Sequence, residues 1–160
     1  MRQPVQKLIE QYQNNLYAAA FNICQNQMDA EDVVQETFVQ YYATKKEFEN
    51  EQHIRAWLLR TAINKAKNCC RTFWKNNKCT LEDYMETLPF PDSQSRSLFE
   101  EVMKLPDKYR IVIHLFYYED YTVREIAEIL KLSESNVKVR LSRGRTLLRE
   151  ALKEEWENDQ

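Results

Sequence analysis

The residues best suited to chemistry lie in the last third of the chain. Ser135, Asn136, Lys138, Val139, Ser142 and Arg143 share one side of a helical register whose other side carries Val137 and Leu141. Hydroxyl, amide, ammonium and guanidinium groups on the first turns of a helix are what reach base edges in the major groove of DNA. Arg140, Arg145 and Arg149 follow at positions that face phosphates, which fix a helix on the duplex without reading its sequence. The helix N-terminus adds partial positive charge for one more phosphate.

Such a helix needs elements that hold it. Thr122 and Glu125 form a T-x-x-E capping box opening a short helix, with Ile126, Ala127 and Leu130 inward. Small Ala127 lets a second helix cross closely. A turn at Lys131 and Leu132 ends at Ser133, which caps the next helix, where Val137, Leu141, Leu147 and Leu148 point inward. Two helices, a tight turn and these fixed inward positions make a helix-turn-helix. The competing reading is an αα-hairpin in a bundle with a solvated basic face. The turn departs from the usual pattern by carrying Lys131 where Gly is favoured, at a cost of about 1 kcal/mol if its φ is positive.

The rest of the chain agrees with a helical protein. Its 160 residues contain 1 Gly and 4 Pro. That argues against hairpin-rich β architectures and excludes a Gly-rich phosphate loop. The net charge of −2 is unevenly spread. His53 to Leu81 holds seven bases and no acid; Glu82 to Glu101 holds six acids against Arg96; Lys131 to Arg149 holds six bases against Glu134. Two basic segments separated by an acidic, Pro-containing stretch point to two domains that each meet a polyanion, or to two solvated faces of one domain. The spacing predicts helices over about Val5 to Cys24, from a cap at Asp29 onward, over about His53 to Trp74, from Ser95, and from Pro106. Buried rows are expected at Leu8, Tyr12, Leu16, Ala19, Ala20 and Ile23, then Ala30, Val33, Val34, Thr37, Phe38 and Tyr41, then Ile54, Trp57, Leu58, Thr61, Ala62 and Lys65. The expected fold is all-α, with two small helical domains at 1–75 and 95–160 joined by a flexible linker at 76–94, which contains Pro89 and Pro91.

Other chemistry finds little support. Cys69, Cys70 and Cys79 with His53 lack the tight ligand pair of a zinc site, and Cys24 has no Cys-x-x-Cys partner. Neither His accompanies a recognisable nucleophile and acid. No enzyme, metal or cofactor is expected. No apolar run of about 18 residues is present, no secretory signal opens the chain, and the cysteine usage fits a reducing, cytoplasmic setting.

These residues resemble the DNA-binding region four of bacterial sigma factors. Leu105-Pro106-Asp107-Lys108-Tyr109-Arg110 looks like the approach to that family's helix-turn-helix, and Glu125 to Leu130 with Ser133 to Arg145 looks like the motif itself. Independently, Asp29 to Phe38 is similar to the polymerase-binding helix of sigma region two, and Ile54 to Asn64 to its promoter-melting segment. Two regions without regions one and three look like the extracytoplasmic-function class.

The resemblance implies three interfaces. Asp32, Gln35, Glu36, Val39 and Gln40 form one exposed stripe at helical spacing. By itself it reads as a solvated face with a lone Val; by resemblance it contacts the coiled-coil clamp of the largest subunit of core RNA polymerase. The helix-turn-helix would read the −35 element. The third helix and the loop before it would handle the −10 element, with Arg55, Arg60, Lys67 and Arg71 on phosphates, Asn64 and Asn68 on a base or strand end, and Phe48, Asn50 and Trp57 near a flipped base. Trp57 also lies on the apolar row, where it reads as core. The implied activity is that of a sigma factor that binds core polymerase, recognises both promoter elements and helps melt the second, commonly under an anti-sigma partner. A two-domain transcriptional regulator that never binds core polymerase, and a helical adaptor without base readout, are the competing functions.

Overall fold

The structure, a computed structural model, describes residues 1–73 and 93–158. All regular structure among these residues is helical: α1 (Val5–Cys24), α2 (Gln27–Ala43), α3 (Glu51–Phe73), α4 (Ser93–Lys104), α5 (Asp107–Ile113), a single π turn (His114–Tyr118), α6 (Val123–Leu130) and α7 (Glu134–Asn158). They fall into two compact units, Met1–Cys79 and Thr80–Gln160. The expected linker lies almost wholly outside the described residues.

In the first unit α1, α2 and α3 pack on one another. The expected row on α1 is buried, and Phe21 and Asn22 join it. Gln25 ends α1 at a φ of 52°, and its N–H reaches the Phe21 carbonyl at 2.8 Å. The cap of α2 is Asn26, not Asp29: its extended backbone lets the side chain accept from the Asp29 amide at 3.0 Å. Asp29 thus sits one turn inside, where burial and then neighbouring Asp32 push its carboxyl above the ordinary value. Ala30, Val33, Thr37, Phe38 and Tyr41 are buried, but Val34 is only half-buried. The buried row of α3 is rotated from the expected one. Ile54, Leu58, Leu59, Ala62, Ile63 and Ala66 go inward, whereas Trp57, Thr61 and Lys65 stay half-exposed. Large aliphatic side chains at 58, 59 and 63 decide the orientation, since burying each stabilises by roughly 1.5–3 kcal/mol.

In the second unit Val102, Met103 and Leu105 face inward, but Leu98 is 39% exposed. Pro106 is the cap of α5 rather than its first residue. Arg110 is buried and donates from Nη1 to the carbonyls of Leu105 (2.8 Å) and Met103 (3.4 Å). It thereby serves carbonyls that the end of α4 leaves without helical partners. The π turn after α5 exposes Tyr117 and Tyr118 while His114 stays buried, stacked on Tyr118 at 5.5 Å. The Nε2 of His114 lies 3.5 Å from Oε1 of buried Glu119.

Candidate nucleic-acid and protein interfaces

The capping box on α6 forms as the sequence requires. Thr122 Oγ1 accepts from the Glu125 amide at 3.2 Å, and Glu125 Oε1 accepts from the Thr122 amide at 3.1 Å. Ile126, Ala127 and Ile129 are buried; Ile129, rather than Leu130, completes the inward face, and Leu130 is half-buried. Lys131 takes the left-handed conformation, φ 57° and ψ 48°. Ser133 then caps α7, accepting from the Asn136 amide at 3.1 Å.

Val137 and Leu141 are buried, and this fixes the rotation of α7. Ser135, Asn136, Lys138, Val139, Ser142 and Arg143 are all exposed. Gly144, the chain's single glycine, sets a close helix crossing: a Cβ there would lie 2.6 Å from Ile113 Cδ1. Leu147, expected inward, is 39% exposed. With Leu141 at 2% exposure and Gly144 buried, that face of α7 continues through half-buried Leu148 instead.

The arginines are more engaged than free phosphate ligands. Arg140 Nε donates to Asn136 Oδ1 at 3.1 Å, which joins an expected phosphate contact to an expected base contact. The Arg143 guanidinium beside Tyr109 is the main cause holding that phenol below its ordinary pKa. Arg145 is half-buried; its Nε donates to the Tyr117 hydroxyl at 2.6 Å and its guanidinium lies 5.3 Å from the Phe116 ring centre and 5.4 Å from that of Tyr117. It is therefore a packed cation rather than a freely reaching one. Arg149 is exposed.

On α3, Asn64, Lys67 and Asn68 are exposed, and Arg55 and Arg60 half-buried. Arg71 is on α3, but its side chain lies outside the described residues. Arg60, Asn64, Lys67 and Asn68 follow at helical spacing along one ridge. The loop before α3 differs from expectation. Phe48 is only 2% exposed. Its ring meets those of Tyr41 at 5.6 Å, His53 at 5.1 Å and Trp57 at 5.7 Å. Phe48, expected near a flipped base, is thus packed inside an aromatic cluster. His53 and Trp57, both half-buried, are the members of that cluster open to solvent. Asn50 is exposed but serves as a cap, accepting from the His53 amide at 2.8 Å, while His53 Nδ1 accepts from the Glu49 amide at 3.1 Å.

On α2, Asp32, Gln35, Glu36 and Gln40 are exposed, with Val39 67% exposed. Two residues absent from the expected stripe extend it: Met28 and Tyr42 are 74% and 76% exposed. Met28, Asp32, Gln35, Val39 and Tyr42 alternate steps of four and three, the spacing of a coiled-coil seam. Beside this seam a groove of about 450 Å³ opens between α1 and α2, lined by Val5, Ile9, Val34, Phe38, Val39 and Tyr42 among others. Half-buried Val34 thus faces the groove rather than the core. Glu36 Oε2 is 4.0 Å from Lys65 Nζ on α3.

Among the described residues no three His, Cys, Asp or Glu side chains group as metal ligands do. No helix among them is long and apolar enough to cross a membrane. Cys79 lies outside the described residues.

The two units match two family descriptions, Sigma-70 region 2 over residues 8–76 and Sigma-70, region 4 over residues 95–148. RNA polymerase sigma factor SigV of Bacillus subtilis (strain 168) is 30% identical over 153 residues, covering 92% of this chain and 90% of the relative. The chain belongs to the sigma factors of bacterial RNA polymerase. Its class is the extracytoplasmic-function one: ECF RNA polymerase sigma factor SigW of the same strain is 28% identical over 168 residues, covering 92% of this chain and 88% of the relative. Among solved structures, CnrH in complex with the cytosolic domain of CnrY aligns with a TM-score of 0.68 at 27% identity, covering 93% of this chain and 87% of that one. The sigma factor RpoE in its complex with the anti-sigma factor NepR from Bartonella quintana shares the fold, with a TM-score of 0.73 at 22% identity, covering 92% of this chain and 96% of that one. As a sigma factor, the chain directs core RNA polymerase to promoters through −35 and −10 elements. A regulator without core polymerase is accordingly disfavoured.

Sequence reasoning missed Arg110, Gly144 and Tyr117. Gly144 was detectable in principle, because a lone Gly inside a helical pattern signals a close approach. Arg110 is buried by tertiary packing, which no local pattern marks. Tyr117 is exposed on a π turn, which no sequence signal marks either.

Proposed function

We propose that this sigma factor docks on the clamp of the polymerase largest subunit through α2, reads −35 duplex through α7 and holds the −10 strand through α3 and the loop before it. The observation that carries the docking is the exposed seam Met28, Asp32, Gln35, Val39 and Tyr42. Its four-three spacing suits a coiled-coil partner, its acid Asp32 and flanking Glu36 suit basic side chains, and three apolar members supply contact area. In the helix-turn-helix, Ser135, Asn136, Lys138, Val139, Ser142 and Arg143 face bases, and Arg140 and Arg149 face phosphates. Arg145 joins them after exchanging its tyrosine contact for a phosphate. On α3, Arg55, Arg60, Lys67 and Arg71 track the −10 backbone, Asn64 and Asn68 meet a base, and Trp57 with Asn50 borders the site. The stabilisation of unstacked bases and phosphates offsets the cost of melting, without nucleotide hydrolysis.

The partners are core polymerase, promoter DNA and an anti-sigma protein; the last is supported by the two similar structures, one a complex with an anti-sigma factor. The setting is cytoplasmic, where polymerase works. A reconstituted run-off assay with core polymerase on a genomic fragment library tests the reading. Discrete start sites that depend on the chain are expected. Failure to co-elute with core, or transcripts unchanged by its addition, overturns it.

A further inference from the structure

The loop Thr44 to Asn50 lacks helical structure of its own, yet it is held at several points by the start of the chain. Met1 and Phe48 exchange backbone hydrogen bonds, from Met1 nitrogen to Phe48 oxygen at 2.5 Å and from Phe48 nitrogen to Met1 oxygen at 3.3 Å. Arg2 donates from Nη1 to the Lys46 carbonyl at 2.9 Å and from Nη2 to the Tyr41 carbonyl at 3.0 Å. Its guanidinium carbon lies 4.5 Å from the Tyr41 ring centre and 6.0 Å from that of Phe48. The Gln3 amide donates to the Tyr41 hydroxyl, which donates to the Gln3 carbonyl, both at 3.0 Å.

These contacts converge on one structure. The Tyr41 carbonyl belongs to the last turn of α2, where a cation is favoured by the helix dipole. The Lys46 carbonyl belongs to the loop. One planar guanidinium therefore ties the helix end to the loop, and its fork holds both carbonyls in fixed relation. The rings beneath it, Tyr41 and Phe48, are the buried floor of the loop. Arg2 also places a positive charge beside a segment that carries Glu47, Glu49 and Glu51, and so eases the approach of a polyanion to it. Ordering a loop costs backbone entropy, and contacts that hold it beforehand remove that cost from ligand binding.

We infer that residues Met1 to Gln3 strap the loop Thr44 to Asn50 into the conformation that receives the −10 single strand, with Arg2 as the positioning residue. The inference rests on the proposed assignment of this loop to the −10 element. Arg2 touches no DNA; it acts by holding Tyr41, Lys46 and Phe48 in register.

The test uses the full chain with core polymerase and a promoter recovered in the run-off assay. Arg2→Ala is expected to lower permanganate reactivity of −10 thymines about tenfold. Core affinity and binding to −35 duplex should stay within about twofold, because neither surface includes Arg2. Amide exchange at Phe48 and Glu49 should quicken about tenfold. Arg2→Lys keeps the charge but not the fork and should recover less than half of the melting. Unchanged melting in Arg2→Ala overturns the strap, as does a fall in core affinity as large as the fall in melting, which marks damage to the whole unit. A photo-crosslinker at Glu49 in the otherwise unaltered chain tests the loop assignment separately. A crosslink to the non-template −10 strand supports that assignment whatever Arg2 does. Its absence removes the loop from the −10 site, and the inference with it, even if exchange quickens in Arg2→Ala.

Discussion

The two units present the cations proposed to meet DNA in opposite ways. In the C-terminal unit the proposed reading surface is preformed on a single helix. Both ends of the α6–α7 turn are capped, Val137 and Leu141 fix the rotation, and the exposed residues follow from that rotation alone. In the N-terminal unit the basic ridge of α3 is equally helical, but the loop beside it depends on contacts from forty or more residues away. The targets explain the difference. A duplex groove has a fixed shape that a rigid helix can match. A single strand must be received in a site that forms as bases leave the stack, so loop geometry matters as much as helix position.

The sharpest way to break that comparison is to separate docking from reading. Asp32→Lys together with Glu36→Lys should weaken core binding by at least about 100-fold, since like charges then face a basic partner. Binding of −35 duplex should be unaltered, as measured by fluorescence anisotropy of the same protein. Loss of both activities would mean that the α2 surface is needed for the fold rather than for docking. A smaller effect is expected inside the C-terminal unit. Arg110→Met keeps the packing volume but removes the donor from the Leu105 and Met103 carbonyls. Equilibrium urea unfolding of the C-terminal transition should report a loss of about 2–3 kcal/mol. The N-terminal transition should not move.

Residue-level readout gives the next step down. Lys138→Ala should cost roughly 1–3 kcal/mol on its preferred −35 sequence and less on altered sequences, if it reads a base. Arg149→Ala should weaken binding about equally on all sequences and reduce the salt slope by about 1, if it meets a phosphate. Equal loss on all sequences for Lys138→Ala would move that residue from the reading set to the positioning set. Arg145 is the informative intermediate. Its bond to Tyr117 must be exchanged before it reaches DNA, so Tyr117→Phe should change its contribution while leaving Lys138 untouched.

Much of this was legible in the sequence because helical periodicity and caps are local signals. α1 matches its expected bounds, the capping box at Thr122 and Glu125 is present, and the six α7 positions proposed to face bases are all exposed. What was not legible depends on which of several adequate side chains wins in three dimensions. Asn26 and Asp29 are both good caps, and only the chain path from Gln25 selects the first. Trp57 and Leu59 are both apolar, and the rotation of α3 buries Leu59 while leaving Trp57 half-exposed. The burial of Phe48 carries no local signal, because the contacts around it come from Met1 and Arg2, more than forty residues away. The α2 stripe was read as Asp32, Gln35, Glu36, Val39 and Gln40; Met28 and Tyr42 fall beyond its ends, where a stripe defined by charge stops short.

The smallest predicted effect concerns where the chain spends its one glycine. Among the described residues three left-handed positions, at Gln25, Asp120 and Lys131, are filled without glycine, while Gly144 lies within α7 against Ile113 and Tyr109. A Cβ there would force the tip of Ile113 to shift, whereas a turn tolerates a side chain at a cost of about 1 kcal/mol. Lys131→Gly should therefore stabilise the C-terminal unit by up to about 1 kcal/mol, partly offset by the greater freedom of glycine in the unfolded chain. The gain would appear as a higher urea midpoint with an unchanged slope. Since Lys131 precedes the reading surface and is exposed, −35 sequence preference should not change. A destabilised Lys131→Gly variant would show that the lysine stem contributes more to the turn than its left-handed backbone costs. A changed base preference would show that the turn sets the angle of α7, and that even the preformed unit depends on its loop.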